Sequence, residues 1–117
     1  MSNKLLTIGM ATYDDFDGVF FSIQSIRMYH HNILDKIEFI IIDNNPGGAH
    51  SESIKNFTNQ IKHHTPIRHI LNDKWKSTAV RDAIFEEATT PYVMSIDSHV
   101  LLEPGSIKRL LDYYEEN

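Results

Sequence analysis

The chain has 117 residues, a formal net charge of -5, 41% hydrophobic and 23% charged residues, and no cysteine. This length bounds it at one domain, residues 1–117, with a single core, and the ordinary composition excludes a disordered chain. The acidic balance and the lack of any Lys/Arg block argue against a nucleic-acid binder that relies on neutralising phosphates. Disulfides, thiolate zinc sites and cysteine nucleophiles are excluded outright. No apolar stretch is long enough for a signal peptide or a membrane span, so the expected compartment is the cytoplasm.

In chain order, Leu5–Ala11 is an uncharged apolar run that reads as a buried central strand. It stops at Thr12-Tyr13-Asp14-Asp15. From about Asp17, a plausible N-cap, Val19, Phe20, Ile23 and Ile26 follow helical spacing, and the helix is expected to end near His30-His31-Asn32. Ile37–Ile42 is the strongest strand signal, β-branched and nearly continuous, and it runs into the turn formers of residues 43–48. Ser51 opens a second helix with Ile54, Phe57 and Ile61 on one face, and Ile67–Leu71 makes a short third strand. Ser77 or Thr78 caps a third helix that turns Val80, Ala83, Ile84 and Ala88 inward. Tyr92–Ile96 is a fourth strand. Beyond Glu103-Pro104-Gly105 a last helix places Ile107, Leu110, Leu111 and Tyr114 on its inner face.

The alternation of strands and helices predicts an α/β fold with a mostly parallel sheet of about four strands flanked by helices. Ligands of such sheets sit beyond the carboxyl ends of the strands. Three strands here end in polar groups: Thr12-Tyr13-Asp14, Asp43-Asn44 and Asp97-Ser98-His99. Asp97 and His99 stand two residues apart, on one side of an extended chain, and so can share a divalent cation. No GxGxxG follows the first strand and no GxxxxGK[ST] occurs. Phosphate charge must then be met by a metal or by basic side chains, for which Lys76 and Arg81 are placed at the start of the third helix. Asp43 divides between capping the next turn and accepting from a base N–H. Tyr13 divides between packing on the sheet edge and stacking on a base. His30-His31 and His63-His64 are read as helix-end residues, favoured there by the dipole.

Taken together, Leu5–Asp14, Ile40–Asn45, Arg81-Asp82 and Tyr92–Gly105 resemble the N-terminal, nucleotide-sugar-binding half of family 2 glycosyltransferases, which have the Rossmann-like GT-A fold. The resemblance implies that residues 11–14 lie at the nucleobase, with Ala11 where proline is usual and Thr12-Tyr13-Asp14 matching the family's Thr-Tyr-Asn. It implies that Asp43 hydrogen-bonds uracil, and that Lys76 and Arg81 lie near the nucleotide. Asp97-Ser98-His99 matches the family's Asp-x-Asp motif with histidine last, a form seen in related retaining transferases. Asp97 and His99 are thereby implied as ligands of Mn2+ or Mg2+. The donor implied is a UDP-sugar, delivered to an acceptor hydroxyl.

Such enzymes continue well beyond this length, and their later half supplies the acceptor site and, in inverting members, the catalytic base. No residue here matches that base. The chain is therefore expected to be truncated relative to the full fold, and a non-catalytic nucleotide-binding module is the alternative reading. The family's sheet order implies that the strand ending at Asp97 lies at an edge. An exposed apolar edge invites pairing, which predicts a homodimer or another partner there.

Overall fold

A computed structural model of the chain describes residues 4–13, 15–45, 47–72, 78–97, 102 and 104–116, with residues 78–82 and 97 described as backbone. Strands β1 (Leu6–Thr12), β2 (Ile37–Asp43), β3 (Ile67–Leu71) and β4 (Tyr92–Asp97) alternate with helices α1 (Phe16–Tyr29), α2 (Ser51–Ile61), α3 (Thr78–Glu87) and α4 (Ser106–Glu116). The strands form one parallel sheet in the order β3-β2-β1-β4. β4 therefore stands at one edge, as the resemblance implies.

Central parallel strands are covered on both faces, which is why β1 and β2 read as unbroken apolar runs. Leu6, Ile8, Met10, Phe39 and Ile41 face a core that also takes in Val19, Ile23, Ile54, Phe57, Ile107 and Leu111, so α1, α2 and α4 share that side. Ile40 and Ile42 face the other way and pack with Ile84 of α3. Gly9 lies in the middle of β1. A Cβ built on it would come within 2.2 Å of Ile84 Cγ2, so α3 lies this close to the sheet only because β1 has no side chain there.

Several local expectations are corrected. Asp15, not Asp17, caps α1, its carboxylate accepting from the Gly18 N–H at 3.0 Å. Asp17 falls in the first turn instead, where the positive end of the helix dipole favours an acid. Phe20 shares the helical spacing but is half exposed, because the buried face of α1 runs through Val19, Ser22, Ile23 and Ile26. Its ring instead meets Phe16 at 5.7 Å and Phe57 at 5.2 Å. A 3-10 helix, His31–Lys36, follows α1 and had no periodic signal at that length. Leu110 and Tyr114 of α4 were also expected inward. They are exposed, because β4 is the last strand of the sheet and nothing among the described residues lies beyond it.

Candidate site at the carboxyl edge of the sheet

The register brings the polar strand ends together. Thr12 pairs with Asp43 across β1 and β2, and Ala11 pairs with Asp97 across β1 and β4. Neighbouring strands are about 4.8 Å apart, so these positions form one row roughly 10 Å long. Tyr13 follows directly on Thr12 and is 71% exposed at that rim. The backbone of Arg81 lies in the first turn of α3. The expected site residues Asp14, Lys76 and His99 lie outside the described residues.

The loops leaving these strands are cross-tied. The Asn44 N–H donates to the Thr12 carbonyl at 2.8 Å, and the Asn72 N–H donates to the Asp43 carbonyl at 2.8 Å. The Asn72 side-chain amide donates to Asn44 Oδ1 at 2.6 Å. Thr12 Oγ1 donates to the Asp15 carbonyl at 3.2 Å, joining the end of β1 to the cap of α1.

Asp43 is the centre of this lattice. Its side chain is 1% exposed. Oδ2 accepts from Ser51 Oγ at 2.7 Å and lies 2.9 Å from His69 Nε2, while Oδ1 accepts from the Asn45 N–H at 3.0 Å. One carboxylate thus joins β2, β3, the first residue of α2 and the turn between them. Burial pushes the Asp43 carboxyl up, but the hydrogen bonds from Ser51, Asn45 and His69, with the attraction of the His69 ring, outweigh it. The net effect holds it below the usual carboxylate range. An ionised carboxylate only accepts, so the proton between the two residues sits on His69 Nε2.

His69 is the residue that sequence reasoning missed. It pairs with Ile41 in the register of β2 and β3, and Asp43, two residues on, shares that face. A histidine in a five-residue strand has no distinguishing pattern, and its partner is visible only once the strand pairing is known. The ring also lines a groove of about 650 Å³ between α2 and β3, with Lys55 and Lys62 on the helix side.

Among the described residues no group of three or more His, Cys, Asp or Glu side chains could hold a metal. The described residues also include no helix long and apolar enough to cross a membrane.

A parallel sheet covered by helices on both faces, with its polar strand ends gathered at one edge, is the α/β architecture in which ligands bind beyond the carboxyl ends of the strands. The sequence matches the model of glycosyl transferase family 2 over residues 7–117, and the chain belongs to that family. The fold is similar to that in the crystal structure of S. aureus TarS, with a TM-score of 0.77 and 10% sequence identity. The likeness covers 96% of this chain and 20% of TarS, so the chain spans about a fifth of the length of that relative. No curated protein matches the sequence.

Proposed function

We propose that the chain binds a nucleoside-diphosphate sugar, a UDP-sugar, for transfer of the sugar to an acceptor hydroxyl. The observation that carries this reading is the register that sets Thr12 beside Asp43 and Ala11 beside Asp97 at the carboxyl edge of the sheet. Membership of glycosyl transferase family 2 supports it. The exposed ring of Tyr13 offers a stacking face to the base. Asp43 accepts from a base N–H. Its burial means that a base reaches it only once the Asn45 N–H gives up Oδ1. Lys76 and Arg81 meet phosphate oxygens.

Of Mn2+ and Mg2+, the donor set Asp97 and His99, a carboxylate with an imidazole, suits Mn2+ better, since Mg2+ prefers oxygen donors alone, and Asp97 closes β4 beside Ala11 in the row of strand ends. These two residues would hold the ion, which when bound neutralises charge on the diphosphate leaving group. Calorimetric titration of the chain with UDP, with and without Mn2+, is expected to show binding that strengthens at least about tenfold with the metal. A folded chain that gives no heat with UDP in Mn2+ would sink the reading.

One observation favours the alternative of a nucleotide-binding module without turnover. Of the described carboxylates at the edge, Asp43 is buried and committed and Asp15 serves as a helix cap, so neither stands as a general base. Sugar release or transfer from UDP-sugars by the purified chain would refute that alternative.

The proposed partner at the sheet edge is a second copy of the chain. An apolar groove of about 430 Å³ runs along β4, lined by Phe85, Tyr92, Met94, Leu110 and Tyr114 among others. α4 beside it carries Lys108 and Arg109 near its start and Asp112, Glu115 and Glu116 towards its end. Lys108 and Asp112 pair within the helix at 2.6 Å, while the order as a whole opposes the helix dipole. Across a two-fold axis an antiparallel α4 sets the basic half of one copy against the acidic half of the other. Sedimentation is expected to show a dimer for the wild type and a monomer for Leu110→Asp. A wild-type monomer at about 100 μM, a concentration where even a weak specific interface of about −6 kcal/mol is populated, would remove this proposal.

A further inference from the structure

His69 has no part in the expected site, yet it makes one of the three side-chain contacts of Asp43. The two carboxylate oxygens are not equivalent. Oδ2 is held from two regular elements, by Ser51 at the first position of α2 and by His69 within β3. Two donors fill its two lone pairs. Among the described residues Oδ1 is held only by the Asn45 N–H, from the turn. It keeps one lone pair, and its present donor is the amide of a turn residue, outside any strand or helix.

We propose that His69 is a positioning residue of the base end of the site: with Ser51 it clamps Asp43 Oδ2, so that Oδ1 alone is offered to an incoming base N–H. This rests on the reading of Asp43 as the base acceptor. The consequence is selectivity. A single, fixed acceptor suits a base whose ring nitrogen carries a proton, as in uracil, and repels one whose equivalent nitrogen is itself an acceptor, as in cytosine. Without the His69 donor, Oδ2 regains a lone pair and the carboxylate can turn between its oxygens. The other groups around His69 do not replace it. Lys55 and Lys62 line the groove on its α2 side and are exposed, and Arg68, its neighbour in the strand, is engaged by Glu87.

The test compares UDP, CDP and pyrophosphate as ligands of the full 117-residue chain in Mn2+, by calorimetry. Wild type is expected to prefer UDP to CDP. His69→Leu should weaken UDP about tenfold, the effect of one charge-assisted hydrogen bond, with CDP and pyrophosphate changed by less than about twofold. His69→Gln, whose amide can donate to the same oxygen, should recover most of the UDP affinity. Equal losses for UDP and CDP in His69→Leu, or no loss for UDP, overturn the proposal. A wild type that binds pyrophosphate but does not distinguish UDP from CDP instead overturns the base-end reading itself, before any variant is made. Should His69→Leu fail to fold, the imidazole nitrogen signals of the wild type decide. The Nε2–H resonance of His69 should move on adding UDP and hold still on adding pyrophosphate, and a resonance indifferent to UDP overturns the proposal.

Discussion

Asp43→Ala is expected to destabilise the fold by roughly 3 kcal/mol, the cost of removing a buried carboxylate from the donors that point at it. The substitution removes a fully buried acceptor and strands Ser51 Oγ, the Asn45 N–H and His69 Nε2, all of which point at it. Four segments lose their common tie at once. For a chain of this size the shift in melting temperature should be about 10 °C. Urea unfolding of both proteins measures it, and a loss under about 1 kcal/mol would mean that the network contributes little net stability. Acid supplies an independent check. The Asp43 carboxyl is held below its ordinary value in the fold, so the unfolded chain takes up its proton more readily. Its contribution is therefore fully present above the unfolded value near about 3.9 and is lost as pH falls through the folded value. Asp43→Asn has no such titration. The stability gap between wild type and Asp43→Asn should be widest at neutral pH and narrow on acidification below about pH 4. A gap that stays constant into acid would falsify the assignment of this stability to the ionised carboxylate.

The parts of this molecule that were legible in its sequence are those set by local pattern. β2 shows itself as IleGluPheIleIleIle because a strand buried on both faces has little use for polar side chains, and Ile37–Asp43 is what forms. β3 and the start of α2 fall at Ile67 and Ser51, where turn residues stop and apolar spacing begins. What pattern could not supply was anything that depends on pairing. The exposure of Leu110 and Tyr114 follows from β4 being an edge strand, and α4 alone carries no mark of that. The Asp43–His69 contact spans 26 residues and exists because β2 and β3 are paired in one particular register. The site shows the same division. Asp43 drew attention because it ends a strong strand, but its burial and its three donors were invisible until α2 and β3 were in place. Cap chemistry lay between these cases. Asp15 and Asp17 are two residues apart, and either fits the helix start until the Gly18 N–H shows which one is used.

Gly9→Ala is expected to be nearly as damaging as Asp43→Ala, for a reason that concerns space. The new Cβ would lie 2.2 Å from Ile84 Cγ2 and 3.0 Å from both Cγ1 and Cδ1 of the same residue. The whole branched side chain would have to leave, and Ile84 is fully buried between α3 and the strand that carries Ile40 and Ile42. Overpacking of this kind costs about 1–3 kcal/mol when neighbours can shift, and the middle of a central strand leaves little room to do so. α3 would have to move off the sheet, carrying with it the backbone position of Arg81 in its first turn. The variant should therefore lose stability, about 2–3 kcal/mol by urea unfolding, and also weaken nucleotide binding through the displaced helix. Ile84→Ala alone should cost a similar amount, roughly 2–4 kcal/mol, by opening a cavity. Combined, the two should be far less damaging than their sum, because the new methyl enters the space that the isoleucine has left. Strict additivity of the two losses would show that Gly9 is kept for its backbone and that the close approach of α3 is incidental.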